Sequence, residues 1–343
     1  MATTEERLAA LEAKLAALTA TTPTEYYTHQ YSGEEIDAAV GRAVSGGALD
    51  TSVTNVSNQL GTFTRPNLLD NWYFGRPVNQ RGQTEYSGSA GYWIDRWKRD
   101  AGIVCAVDGG MVTCTRLSAG NNAISQLLDG YAGLAGQTVT LSVLCAGTPG
   151  TSVTVGHNDG GSSVYETYTP CTGALQLIQS TFTVAAAPTQ FASIARAQLS
   201  ENFAEESVKF LAAKLEMGPT QTLAHREGGK WVLNEVPDYG EQLRRCQRYH
   251  YRINSHAYGW TYNNSVANCL IPLPVTLRTA PVIAIHESGT INTVKGDAAM
   301  TSYEVKNVTP NGLIIDLHNS ANALTTGTPV VWHNFSITIS ADL

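Results

Sequence analysis

The sequence predicts a mainly β chain of several modules, entered through an N-terminal coiled-coil helix. Three observations carry that reading. Only 15% of the 343 residues are charged and 31 are glycine, a balance that suits turn-rich β architecture better than a helical enzyme. Short runs rich in β-branched and aromatic residues recur at 102–107, 111–115, 138–145, 152–155, 175–184, 190–199 and 207–215, a spacing typical of a sandwich. Leu8, Leu11, Leu15 and Leu18 repeat with heptad spacing ahead of them.

The elements follow in order. Residues 1–22 form the coiled coil: the leucines occupy a and d, Arg7 and Glu12 occupy g and e, and five alanines favour helix. Pro23 closes it. In 23–64, Ser32 and Glu35 make a capping box, Ile36, Val40 and Val44 line one helical stripe, and Gly46-Gly47 stop it. A Thr-, Ser-, Asn- and Gly-rich linker runs to 64. Residues 65–224 form a β-sandwich. Its stretch Thr138-Val139-Thr140-Leu141-Ser142-Val143 alternates with period two, so one face is buried and one wet. Trp72, Trp93 and Trp97 supply its aromatic core rather than a sugar platform, and Asp95 and Arg96 serve as a structural ion pair or rim charges.

Residues 225–252 are a linker that begins irregularly and ends in a short helix from Tyr239, with Leu243, Cys246 and Tyr249 near one face. Arg244, Arg245 and Arg248 form the basic cluster of the chain, read as a solvated or inter-subunit face. Residues 253–343 return to β structure as a C-terminal sandwich. Prolines punctuate the runs 270–275 and 278–285, as they do at strand edges and bends, and Asn311-Gly312 signals a hairpin.

A formal charge of −7 without a basic stripe argues against nucleic acid as a partner. The absence of a basic segment followed by an apolar one argues against a signal peptide, and no apolar run approaches a membrane span. The six cysteines stand far apart without a C-x-x-C pair, and are expected as free, buried thiols. No G-x-S-x-G, H-E-x-x-H, Walker or dinucleotide motif occurs, so neither catalysis, cofactor nor metal is expected. The phrase Gly156-His157-Asn158-Asp159-Gly160-Gly161 has too few carboxylates for a calcium loop and reads as a turn.

Three separated segments carry a family resemblance. They are Pro66-Asn67-Leu68-Leu69-Asp70-Asn71-Trp72-Tyr73-Phe74, then Tyr92-Trp93-Ile94-Asp95-Arg96-Trp97, and Ala213-Lys214-Leu215-Glu216-Met217-Gly218. Together they resemble the carbohydrate-binding-like jelly roll of phage and prophage tail fibres. Tyr239-Gly240-Glu241-Gln242-Leu243, followed by Cys246-Gln247-Arg248-Tyr249, is similar to the linker that leads to the distal tip in those fibres. The ending Ser336-Ile337-Thr338-Ile339-Ser340-Ala341-Asp342-Leu343 resembles their tip domains. The resemblance implies a homotrimeric receptor-binding protein of the virion, made in the host cytoplasm. Residues 23–64 would then dock on other tail proteins, and a bacterial surface polysaccharide would be the ligand.

The most informative local pattern is His256-Ala257-Tyr258-Gly259-Trp260-Thr261-Tyr262-Asn263. In a strand His256, Tyr258, Trp260 and Tyr262 point to one side. Such a row offers apolar walls to sugar rings, and Asn263 and His256 offer hydrogen bonds to hydroxyls. The competing reading packs the row into the core or along a threefold axis.

Overall fold

The computed structural model describes residues 3, 5, 6, 8–13, 65–107, 109–116, 123–161, 163–198, 206–294 and 296–342. The chain divides into two units, Met1–Thr62 and Phe63–Leu343. In the first, residues 8–13 are helical, behind a capping box in which Thr3 and Glu6 exchange bonds of 2.7 and 3.3 Å. Leu8 and Leu11 are 58% and 62% exposed. Leu15, Leu18 and the elements expected over 23–64 lie outside the described residues.

The second unit opens with a sandwich of β1 (Glu85–Tyr86), β2 (Gly91–Tyr92), β3 (Lys98–Arg99), β4 (Ile103–Val107), β5 (Val112–Arg116), β6 (Ala123–Leu127), β7 (Thr138–Gly147), β8 (Ser152–Asn158), β9 (Val164–Tyr165), β10 (Thr169–Pro170), β11 (Gln176–Thr183), β12 (Ala192–Gln198) and β13 (Val208–Met217). One sheet runs β1-β4-β5-β13-β7-β11 and the other β10-β8-β12-β6-β3-β2, with β9 on β8. All pairs are antiparallel, in the manner of a jelly roll. Trp72, Trp93 and Trp97 are buried between the sheets, and Phe74 meets Trp97 and Phe210 edge to face at 5.0 and 6.4 Å. All six cysteines are free and buried.

The opening stretch is stitched to the closing strand. Leu68 N donates to Leu215 O, Phe74 N to Leu211 O, and Ala213 N to Trp72 O. The Asn67 side chain donates to Ala213 O and accepts from Leu215 N. The bridge after β13 is not irregular: β14 (Ala224–Glu227) and β15 (Lys230–Leu233) form a hairpin. Its turn is Gly228-Gly229, both at positive φ (55° and 79°), as a two-residue hairpin turn requires. Trp231 and Leu233 pack on the sandwich core.

Helix α1 (Tyr239–Gln247) is capped by Asp238, which accepts from Glu241 N at 2.8 Å. Its Gln242 and Cys246 are buried. Beyond it come β16 (His250–Thr261), β17 (Val266–Pro272), β18 (Val282–Thr293), β19 (Gly296–Ala299), β20 (Ser302–Thr309), β21 (Gly312–His318) and β22 (Pro329–Ser340). They form one sheet of order β19-β18-β22-β16-β17-β21-β20 where two packed sheets were expected. Its core cluster, with Trp332, Phe335 and Ile337, comes from the sheet's own strands and connecting loops. A sheet that buries one face on itself must coil, and bulges allow this. The register shifts opposite Ser255–Ala257, where Asn334 sits at φ 55°, and again at Ile285–Glu287.

Asp70 and Asn71 join the sandwich to α1. The Asp70 carboxylate accepts from Arg96 Nε at 3.0 Å and Arg245 Nε at 2.7 Å. Its backbone exchanges two 2.7 Å bonds with the Gln126 amide. Asn71 N donates to Gln242 Oε1 of α1, and its side chain bonds Val78 and the Asp95 carbonyl. Arg96 is 1% exposed and lies 3.5 Å above the Tyr249 ring. Arg245 is therefore drawn into an ion pair within the chain, where the basic cluster was expected as a solvated or inter-subunit face. Asp95 and Arg96 are both buried and take different partners, Arg81 and Asp70.

A second polar seam ties the sandwich to the C-terminal sheet. Arg81 Nη2 donates to Asp342 Oδ2 at 2.6 Å, with Arg81 Nε 3.9 Å from Asp95 Oδ1. Gln80 Nε2 bridges Asp95 Oδ2 and the His250 carbonyl. Burial pushes the Asp95 carboxyl up to about 6, and burial followed by the Arg81 charge pushes the His250 imidazole down to about 4.

Asp70→Asn leaves a buried guanidinium without its counter-charge, and should cost about 3–5 kcal/mol in urea unfolding. Arg245→Ala, at the more exposed partner, should cost clearly less. A loss under about 1 kcal/mol for Asp70→Asn would refute the buried-pair account. The titrations of His250 and Asp95 oppose each other. Below pH 6.5 the unfolded state protonates His250 before the folded state does, so this residue removes stability as pH falls from 6.5 towards 4. The folded state protonates Asp95 first, so this residue adds stability as pH falls from 6 towards 3.8. Relative to the parent chain, Asp95→Asn should lose stability between pH 7 and 5 and His250→Gln should gain it, read from urea midpoints at both pH values.

Candidate functional site

Strand β16 lies at the centre of the C-terminal sheet, between β22 and β17. Its alternation sorts side chains by parity. Ala257 and Thr261 face inward and are buried, whereas Tyr258, Trp260 and Tyr262 face outward and are 71%, 63% and 73% exposed. Successive outward residues stand about 7 Å apart along the strand. The row is therefore a surface feature of this chain and not part of its core.

Neighbouring strands complete the face. Tyr258 pairs with Leu270 of β17 and Val331 of β22, and Trp260 pairs with Asn268 and Pro329. Leu270 in turn stands beside Ile314 of β21, and Asn268 beside Asp316. A groove of about 610 Å³ runs among Tyr258, Trp260, Leu270, Ile314 and Val331, with Asn268 at its rim. The Asn268 amide donates to Asp316 Oδ1, so one edge of the apolar groove is polar and fixed. Beneath it the Cys269 thiol is pushed up to about 12, by burial and then by Asp316, and stays protonated.

The other two residues singled out from the sequence occupy the ends of the row. His256 is exposed and its ring lies parallel to that of His333 at 6.1 Å. Asn263 closes the turn into β17: its Oδ1 accepts from Ser265 N, Ser265 Oγ and Val266 N at 2.8–2.9 Å. Only its amide nitrogen remains for a ligand. Leu270, Ile314, Val331 and Asn268 were not picked out from the sequence. The signal for Leu270 was present, since it alternates with Cys269 and Ile271, which are buried. Its adjacency to Tyr258 depends on a pairing register that the sequence does not display.

Gly259 sets how closely the two strands approach. A Cβ there would lie 1.9 Å from the Asn268 carbonyl oxygen, a contact only glycine avoids. Among the described residues no group of three or more His, Cys, Asp or Glu side chains is placed to hold a metal ion. The side chains of the Asn158–Asp159 turn are engaged within the protein: Asn158 Oδ1 accepts from Gly160 N and Gln190 Nε2, and Asp159 Oδ2 accepts from Ala185 N.

No protein-family model matches the chain, and no curated protein matches it. Among solved structures it is similar to TmCBM61 in complex with beta-1,4-galactotriose, at 14% identity, 45% of this chain, 99% of that chain and TM-score 0.28. It is similar to a CBM4 structure at 13% identity, covering 43% and 99%, TM-score 0.30. It is also similar to the CBM22-1–CBM22-2 tandem domain from Paenibacillus barcinonensis Xyn10C, at 12% identity, covering 81% and 98%, TM-score 0.29. At these identities and scores the neighbours assign neither a ligand nor a residue role to this chain.

Gly259→Ala should destabilise the chain by about 1–3 kcal/mol in urea unfolding, because the clash is with backbone and cannot relax by a rotamer change. A change within about 0.5 kcal/mol would show that β16 and β17 stand further apart than this contact requires.

Proposed function

We propose that this chain is a glycan-binding adhesion protein of phage tail-fibre type, which holds a bacterial surface polysaccharide without covalent chemistry. The observation that carries this reading is the outward row Tyr258, Trp260 and Tyr262, 63–73% exposed, beside an apolar groove with a polar rim. The large aromatics of the sandwich are buried by contrast. Grouped exposed apolar surface marks a binding surface. Stacked aromatic walls with a few fixed polar groups suit a sugar, whose rings have apolar faces and hydroxyl edges. In this reading the chain acts in the virion as a homotrimer. The exposed Leu8 and Leu11 are the inner positions of its coiled coil, residues 23–64 dock on other tail proteins, and the C-terminal sheet is the tip. Display of several weak sites on one particle supplies avidity.

A second reading, a structural fibre protein without a ligand, is favoured by one feature. Leu270 and Val282 on the outer surface are 58% and 75% exposed and suit packing between copies of the chain as well as they suit a sugar.

Trp260→Ala separates the two. The adhesion reading expects loss of binding to host cells or purified cell-wall polysaccharide by at least about tenfold, with the mass by light scattering and the thermal midpoint unchanged. A fall in mass with the substitution would instead assign the row to subunit contact. Release of reducing ends from the polysaccharide by the parent chain would overturn the non-enzymatic reading.

A further inference from the structure

We propose a second ligand site, for a negatively charged and hydroxyl-rich group such as an acidic sugar residue, in the cleft between the sandwich and the C-terminal sheet. It lies on different residues from the outer aromatic row and does not depend on that row binding glycan.

The cleft measures about 500 Å³, within the range of roughly 300–1,000 Å³ common for small-ligand sites. Arg81 and Tyr92 line it from the sandwich, and His250, Arg252, His286 and Thr338 from the sheet. No carboxylate is among its lining residues. The nearby acids are engaged within the protein: Asp342 is bound to Arg81 at 2.6 Å and lies 3.8 Å from His250 Nδ1, and Asp95 is bound to the Gln80 backbone and amide at 3.1 Å.

Arg252 is the decisive group. Among the described residues no carboxylate lies within 4 Å of it. Its Nη1 donates to the Arg81 carbonyl at 3.3 Å and its Nη2 to Ser336 Oγ at 3.4 Å, and its buried Nε has no hydrogen-bond partner in the protein. A half-buried guanidinium held by two long bonds to neutral acceptors lacks the short charge-assisted pair that an oxyanion supplies. His250 adds an independent observation. It is 3% exposed, lines the same cleft, and neither ring nitrogen has a hydrogen-bond partner in the protein, an arrangement that otherwise costs stability.

The remaining walls suit a sugar more than a bare ion. The Arg81 guanidinium and the Lys98 ammonium lie 5.0 and 4.9 Å from the centre of the Tyr92 ring, so this wall adds positive charge towards an anionic group. His286 Nε2 and Thr338 Oγ1 share a 2.7 Å bond at the rim, within reach of hydroxyls. An oxyanion on Arg252 with hydroxyls towards His250 and Thr338 would satisfy the groups that the protein leaves unmatched. A sugar carboxylate and the phosphate of a polyol phosphate share this chemistry.

The test is calorimetric titration of the full chain with tri-galacturonate, its neutral methyl ester, and a glycerol phosphate oligomer. Binding of either charged probe, with the ester weaker by at least about tenfold, is expected; the better of the two names the source of the anion. Arg252→Ala should weaken that binding by at least about tenfold. Arg252→Lys, which keeps the charge and loses the fork, should fall between. Trp260→Ala should leave it unchanged, and thermal midpoints of the Lys and Ala variants report folding. No binding of either charged probe up to about 10 mM, equal binding of the ester, or parent-like binding by both Arg252 variants would overturn the proposal. Loss in Trp260→Ala alone would place the anion on the outer face, which removes this site and leaves the adhesion reading standing.

Discussion

The buried carboxylate of Asp70 is the constraint on which the arrangement of the second unit depends. It is held within 3.0 Å by two guanidinium groups, one from the sandwich stretch ending in Trp97 and one from α1. Arg96 is fully buried, so removing the Asp70 carboxylate strands its charge, whereas Arg245 reaches the same carboxylate from a more exposed position. The next residue, Asn71, sits at φ 51° and fixes Val78, the Asp95 carbonyl and Gln242 at once. Arg96, at φ 73°, spends the same left-handed geometry to aim its guanidinium at Asp70 while stacking on Tyr249. Tyr249 immediately precedes β16, so the path of the C-terminal sheet is set from this cluster. Such ionic links contribute little net stability compared with hydrophobic replacements. What they fix is direction, which apolar packing between two modules would leave loose.

Direction then decides which aromatics are buried. The indoles at 72, 93 and 97 and the aromatics of β16 are chemically alike. The first set lies between two sheets, and the second lies on the outer side of one sheet. Fully burying such a side chain is worth roughly 1.5–3 kcal/mol, so leaving Tyr258, Trp260 and Tyr262 in water forgoes several kcal/mol that this fold does not recover. Gly259 allows the strand carrying them to press against β17. A forgone burial of that size is what the proposed binding role of this face would account for.

Local pattern made much of this legible in the sequence. Period-two alternation located most of the sandwich strands within a few residues, and the Asn311-Gly312 signal located the β20–β21 hairpin. The Gly-Gly turn of the β14–β15 hairpin was equally local, and was obscured by the polar residues around it. The single coiled sheet was not legible, because coiling follows from bulges at Asn334 and Ile285–Glu287 that leave no compositional trace. Asp95 and Arg96, adjacent in sequence, suggest a pair with each other. A left-handed backbone at Arg96 parts them, and each takes a different partner within the sandwich, Asp95 with Arg81 and Arg96 with Asp70. The cleft was the least legible feature, since Arg252 and Arg81 meet across 171 positions.

The two surfaces lie on one continuous face. Along β16 the even-numbered residues point outward from His250 to Trp260, because the extra residue of the bulge belongs to β22 and parity on β16 is kept. At one end of that face the sandwich closes over His250 and Arg252 and makes the cleft. At the other end nothing from the described chain covers Tyr258 or Trp260. Ten residues of extended strand separate the ends, about 33 Å. The strand is paired with β22 from His250 to Trp260 and with β17 from Tyr258 to Thr261, which limits how far this distance can vary. A polymer with charged and neutral residues could meet the cleft with one and the aromatic row with another, and the second contact would form at the effective concentration set by the first. A short oligosaccharide reaches only one of them. If both proposed sites hold glycan, the spacing along β16 would favour a long polysaccharide over a free sugar, provided that the polymer between the two points matches the span.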